Sequence, residues 1–214
     1  MDGIKLLTAA RIIAKAGEQI DTMIEILGEK LIEALTNEKE KKSAVDWSED
    51  GNYGKEAWIY KSYLCDIALL QGKSPKPYAH IAVQIVLYDE DEAQIQAWEP
   101  SLYIMYGPGE EAFTLEDSLW LSSAKEDKWH LDGNRLWRWK EDDGECWGFV
   151  LPLVKLNSEE DLVEQVVVPV KKLLEGLAPS DAFSLNSVAF QFTEGYDGIK
   201  ILVKKIPLGG TEPL

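Results

Sequence analysis

The sequence predicts an α+β protein with a mostly antiparallel sheet of about five to seven strands. An amphipathic helix pattern comes first, several alternating apolar runs with short polar connections follow, and a second helical pattern precedes two final strand-like runs. Because strands and helices do not alternate regularly, we expect helices on one side of an antiparallel sheet. The chain contains no internal repeat and no low-complexity tract, so residues 1–214 are predicted to form a single domain.

Residues 1–38 predict a long N-terminal amphipathic helix. Ile13, Ile20 and Leu27 belong to a narrow apolar stripe with helical spacing. A stripe of this kind packs either on the core of its own chain or on the same helix of a second copy. The sequence therefore leaves open a homodimer through residues 13–35.

Residues 39–56 predict a linker and loop, because they are polar and contain many turn-forming residues around 46–54. Residues 57–156 predict the antiparallel sheet. The run from His80 to Tyr88 alternates apolar and other side chains, which predicts a half-buried strand. Asp143-Gly144 between two aromatic runs predicts a hairpin. The strand-like runs are 58–70, 80–88, 102–106, 136–140 and 146–151.

Residues 157–207 predict a helix followed by a closing pair of strands. Ser158 suits the N-cap of a helix over about 158–177, and Pro169 predicts a kink or a late start in that helix. The closing strands are predicted at 187–192 and 199–206, and residues 208–214 are predicted to be a loose tail.

The chain is strongly acidic, with 22 Lys and Arg against 38 Asp and Glu, a net charge of −16 and a pI near 4.5. This balance argues against binding to nucleic acid or to an anionic membrane. No apolar run is long enough to cross a membrane, and the first residues lack the pattern of a secretory signal, so a cytoplasmic protein is expected. Cys65 and Cys146 lie in apolar runs and are predicted to be buried free thiols.

No motif for catalysis, metal binding or cofactor binding was found. His80 and His130 have no other ligand at metal-binding spacing, and His80 is expected to be a hydrogen-bonded strand residue. We therefore predict no catalytic residue, no metal and no cofactor, and we favour a protein that is not an enzyme. The alternative is a metal-dependent hydrolase or nuclease that uses scattered carboxylates. The set considered for it is Asp66, Gln84, Asp89, Glu99 and Lys140.

The negative charge is concentrated in one part of the chain. Residues 89–160 contain 18 Asp and Glu against 6 Lys and Arg, a net charge of −12, which leaves −4 for the rest. Most of these carboxylates lie in predicted loops or at strand ends, where aromatic residues are close. The predicted partner-binding residues are Asp89, Glu90, Asp91, Glu92, Trp98, Glu110, Glu111, Asp142, Asp143 and Glu145. Strand order decides whether they converge, and the sequence does not reveal it.

The hypothesis drawn from these patterns is a non-enzymatic, acidic protein-interaction module. It would bind a basic protein partner as an inhibitor, immunity or antitoxin-like protein, and would occupy a nucleic-acid-binding surface in place of phosphate. Besides the hydrolase, the alternatives are a structural subunit of a larger assembly, and an acidic surface that serves solubility alone.

Overall fold

The computed structural model describes residues 3–37, 39–53, 60–87, 100–113 and 130–192. It shows an α+β fold with one long N-terminal helix, a seven-stranded antiparallel sheet and shorter helices after the sheet. The elements are α1 (Gly3–Leu35), β1 (Lys42–Tyr53), β2 (Tyr60–Gln71), β3 (Ala79–Val86), β4 (Ser101–Pro108), β5 (His130–Asp132), β6 (Leu136–Glu141), β7 (Gly144–Pro152), α2 (Glu159–Leu162), α3 (Val168–Leu174) and α4 (Pro179–Ala182).

The strand order is β1-β2-β3-β4-β7-β6-β5, and all neighbours are antiparallel. The first four strands form a meander, and the last three form a second meander that joins the first through β7 beside β4. In this order Ala79 pairs with Pro108, and Tyr106 pairs with Trp147. The β2–β3 loop, the end of β4 and the β6–β7 turn therefore lie at the same end of the sheet.

The first face of the sheet is covered by helices. Leu27 and Leu31 of α1 are completely buried, and Val166 and Val170 from the later helical segment join the same core. The alternating Ile81, Val83 and Ile85 of β3 point to this face. The apolar stripe of α1 therefore docks on its own chain from about residue 20 onward, whereas residues 7–16 are exposed. The predicted homodimer through residues 13–35 stays a prediction, with much of its stripe already packed in the core.

The second face of the sheet is also buried, which differs from the predicted half-buried strand. His80, Ala82 and Gln84 of β3 all point to it and none is more than 1% exposed. Leu64, Met105, Trp137 and Trp139 lie on this face, and Phe113, Phe190 and Phe192 pack there. The alternation predicted the direction of each side chain correctly. It did not predict that the second face is buried, because the residues that cover this face are distant in sequence.

Residues 42–53 form strand β1, so the loop predicted within 39–56 is wrong. The segment pairs with β2 along almost its whole length, from Lys42 opposite Gln71 to Tyr53 opposite Tyr60. A register shift between Asp46 and Ser48 marks a bulge. Polar and charged residues are common in edge strands, where they discourage pairing with other chains, and this explains the loop-like composition.

The later helical segment accommodates its proline through a π turn. Ser158 caps α2 as predicted, with its Oγ accepting a hydrogen bond from the Asp161 amide at 3.1 Å. The segment then continues through a π turn over Val163–Val167 into α3, which ends at Leu174. Pro169 lies in the first turn of α3, where the missing N–H of proline destabilises a helix least. The helical segment therefore continues through the π turn and is not interrupted at the proline.

The chain after α4 contains no strand in the part that the structure describes, so the closing strand predicted at 187–192 is wrong. This stretch is irregular and is held by single hydrogen bonds, from the Phe190 amide to the Val150 carbonyl and from the Phe192 amide to the Asn134 carbonyl. The partner strand predicted at 199–206 lies outside the described residues. Among the described helices, none is both long and apolar enough to span a membrane.

Candidate functional site

Two of the predicted acidic clusters meet at one end of the sheet. Glu110 and Glu111 follow β4, and Asp142 and Asp143 form the turn between β6 and β7. A Cβ placed on Gly109 would lie 2.6 Å from Oδ2 of Asp143, so the two turns are in direct contact. We call Glu110, Glu111, Asp142, Asp143 and Glu145 the acidic turn surface.

Glycines allow this close approach. Gly109 has φ +118° and Gly144 has φ +143°, in the region that favours glycine. A Cβ on Gly144 would also come within 3.0 Å of Pro108 Cγ. A side chain at either position would separate the two turns, so these glycines determine how close the carboxylates lie.

The carboxylates of the acidic turn surface are only partly neutralised. Glu110 pairs with Lys76 at 2.8 Å, and Glu145 pairs with Arg138 at 2.8 Å. Glu111, Asp142 and Asp143 are exposed and form no ion pair with any residue in the described part of the chain. These three negative charges remain available to an external cation.

The same end of the sheet also has a basic side. Lys41 and Lys42 at the start of β1 and Lys73 in the β2–β3 loop lie across the sheet from the acidic turns. Lys42 is itself paired with Glu40 at 2.7 Å. Contacts between the two sides include the pair of Lys76 with Glu110 and the hydrogen bond from the Gly109 amide to the Tyr78 carbonyl. The acidic turn surface therefore occupies the half of the sheet end formed by β4, β6 and β7.

A buried pair of polar residues holds the chain that carries Glu110 and Glu111. Asp66 of β2 and His80 of β3 are both 0% exposed, and Asp66 Oδ2 lies 2.5 Å from His80 Nδ1. Asp66 Oδ1 accepts a hydrogen bond from the Phe113 amide at 3.3 Å, and His80 Nε2 lies 3.3 Å from the Glu110 carbonyl oxygen. A carbonyl can only accept, so Nε2 donates in that contact. Asp66 and His80 thus hold both ends of the segment 110–113 against the sheet.

The Phe113 ring fixes this segment from the second face of the sheet. A Cβ on Gly107 would lie 2.8 Å from Phe113 Cζ, so the ring occupies the space above a residue without a side chain. Gly107 is paired with His80 in the sheet, which places the ring beside the buried pair. Glycine at 107 is therefore needed for the chain to fold back over the sheet.

Sequence reasoning interpreted His80 correctly as a hydrogen-bonded strand residue but did not find its partner. Asp66 appeared only in the set for the alternative hydrolase. A carboxylate inside the apolar run from Leu64 to Ile67 was the available signal, because such a residue is buried only when it is paired.

The other predicted acidic residues are not brought to this surface by any described contact. Asp89, Glu90, Asp91, Glu92 and Trp98 lie outside the described residues. Strand β3 ends at Val86, which pairs with Ser101 at the opposite end of the sheet from Glu110. That these five residues belong to the partner-binding surface stays a prediction.

The set considered for a hydrolase is only partly described. Asp89 and Glu99 lie outside the described residues, Lys140 is exposed in β6, and Asp66 is occupied by His80 and Phe113. Gln84 is buried, and its side-chain amide has no hydrogen-bond partner among the residues that the structure describes. Within the described ranges, no three His, Cys, Asp or Glu side chains are placed to hold a metal ion.

Both cysteines are buried free thiols, as predicted. Burial raises the pKa of each thiol to about 12, and nearby carboxylates add to the effect, Asp46 for Cys65 and Glu141 for Cys146. A nucleophilic cysteine needs the opposite shift in pKa. Neither thiol is therefore activated for catalysis.

Comparisons with protein-family models, with curated proteins and with solved structures found no match to this chain. The function is therefore inferred from its own residues.

Proposed function

We propose that this protein binds a basic protein partner through the acidic turn surface. The observation that carries the proposal is the contact between Gly109 and Asp143, two residues 34 positions apart in sequence, which joins two acidic turns into one surface. Glu111, Asp142 and Asp143 supply negative charge without a cation beside them in the described part of the chain.

Three features support binding rather than solubility alone. The charge is concentrated on one half of one sheet end, glycines let the two turns lie in contact, and the backbone of Glu110 is held by a buried pair. A fixed arrangement of charge favours a specific partner because little conformational entropy is lost on binding. Charges needed only for solubility have no requirement for fixed positions.

The proposed partner presents Lys and Arg side chains, such as those of a nucleic-acid-binding surface. Complementary charge raises the association rate and makes the affinity depend on salt. More specifically, we propose that the protein acts in the cytoplasm as an inhibitor, immunity or antitoxin-like protein.

Isothermal titration of the full chain with a lysine decapeptide tests the proposal. One variant neutralises the acidic turns, and a matched variant neutralises four exposed carboxylates on the helical segment after the sheet. The substitutions are E110Q, E111Q, D142N and D143N in the first variant and E160Q, E164Q, E175Q and D181N in the second. We expect at least about a tenfold loss of affinity in the first variant and less than about twofold in the second, at low salt.

Equal losses in the two variants would show that the peptide responds to net charge alone. In that case the acidic turn surface has no special role and the solubility interpretation holds.

A further inference from the structure

The exposed face of α1 carries its charges in two separate groups. Basic residues of the first half are Lys5, Arg11 and Lys15, and carboxylates appear only from Glu18 onward, with Lys30 the one basic residue among them. Arg11 and Glu29 are 18 residues apart, which is five turns of an α-helix, so they lie on the same face.

Within one chain this arrangement is unfavourable for the helix. Arg11 and Lys15 are like charges at i and i+4, and Glu25, Glu29 and Glu33 continue the same spacing with like charge. Like charges at this spacing destabilise a helix. All five side chains are exposed. In the part of the chain that the structure describes, Arg11, Lys15, Glu25 and Glu29 form no ion pair, whereas Glu33 lies 3.8 Å from Lys30, which also pairs with Glu159 at 2.8 Å.

The positions are symmetric about residue 20. Arg11 and Glu29 each lie nine residues from it, and Lys15 and Glu25 each lie five residues from it. Two copies of α1 that pack antiparallel with their twofold axis at residue 20 therefore bring Arg11 level with Glu29 and Lys15 level with Glu25 along the helix axis. A parallel arrangement would instead place Arg11 against Arg11.

We propose that two copies of this chain associate through the exposed face of α1 in this antiparallel register. Arg11 and Lys15 of each copy pair with Glu29 and Glu25 of the other, and the twofold symmetry repeats every pair. The occupant is a second copy because its helix carries the complementary charges at the matching spacing. This interface is distinct from the apolar stripe, which packs on the sheet through Leu27 and Leu31.

Exposed apolar residues on the same face support the interface. Leu7 lies one turn before Arg11 and is 52% exposed, and Ile4 is 78% exposed. In the antiparallel register Leu7 comes opposite Glu33, whose methylene groups would cover it. The basic first half of one α1 would then lie along the acidic second half of the other, which is the half docked on the sheet.

Analytical ultracentrifugation of the full chain tests the proposal. We expect a mass of twice 24.1 kDa at about 0.05 M salt and a shift towards 24.1 kDa at about 0.5 M salt. Each of the variants R11E/K15E and E25K/E29K should associate at least about tenfold more weakly, because every pair then becomes a repulsion. Circular dichroism checks that both variants are folded.

A mixture of the two variants is the decisive sample, because every pair across a mixed dimer is again of opposite charge. We expect the mixture to form a dimer that neither variant forms alone. The variants change the net charge in opposite directions, so a net-charge effect would strengthen association in E25K/E29K. The proposal is overturned if the wild type is monomeric at low salt, if the variants associate like the wild type, or if mixing restores nothing.

Discussion

Asp66 and His80 show how two polar side chains can be buried completely in a sheet. Asp66 uses both carboxylate oxygens, one towards His80 and one towards the Phe113 amide. A buried polar group costs free energy only when it lacks a partner. The pair is therefore tolerated beneath the acidic turns, and it ties two strands to the segment 110–113.

Replacing Asp66 with Ala should lower the free energy of unfolding by about 3 kcal/mol, because it removes the buried carboxylate that contacts His80 Nδ1 and accepts a hydrogen bond from the Phe113 amide. Urea unfolding monitored by tryptophan fluorescence measures the change. The exposed Glu164 is the control, and Glu164→Ala should change the same quantity by less than about 0.5 kcal/mol. A loss below about 1 kcal/mol for Asp66→Ala would mean that the buried pair contributes little.

The two thiols predict how stability depends on alkaline pH. Burial raises the pKa of Cys65 and Cys146 to about 12, from an ordinary value of 9.0. As pH rises above 9, the unfolded chain releases these protons first, so stability is lost between pH 9 and about pH 12.

Urea midpoints measured from pH 8 to pH 11 check this expectation, with the variant C65A/C146A as the comparison. The midpoint of the wild type should fall more steeply with pH than that of the variant. Parallel curves would contradict the raised pKa values.

At the scale of elements, α1 is divided into a docked half and an exposed half. Leu27 is completely buried against the sheet, whereas Ile12 is 65% exposed. Leu27→Ala should therefore lower the free energy of unfolding by about 3 kcal/mol, because it leaves a cavity in the core. Ile12→Ala should change it by less than about 0.5 kcal/mol. Denaturant unfolding of both variants measures the difference, and equal losses would show that the first half of α1 is packed as well.

Elements with a strong local pattern were predictable from the sequence. The stripe of α1, the alternation in β3 and the Asp143-Gly144 hairpin are patterns among residues close in sequence, and all three are present. Strand β1 was missed because its polar composition suits a loop, and its extended form depends on pairing with β2. The strand at 187–192 was predicted wrongly. Its phenylalanines pack on the sheet, but its backbone makes only single hydrogen bonds to the described chain and no regular strand pairing.

At the scale of the whole molecule, strand order decided what the sequence left open. Glu110 and Asp142 come together because β7 lies beside β4, and that pairing joins residues 41 to 51 positions apart in the chain. Composition gave the size of the charge and its position in the sequence. Its position in space followed only from the sheet, which also separates the acidic half of the sheet end from the lysines of β1 and the β2–β3 loop.

NMR chemical-shift mapping of the full chain, titrated with a lysine decapeptide at about 0.05 M salt, tests whether the acidic turn surface binds a basic partner. We predict that the largest amide shifts occur at residues 109–111 and 141–145 and disappear in the variant with neutralised turns. Shifts spread evenly over all carboxylate-bearing surfaces, or concentrated on the helical segment 159–174, would contradict the claim.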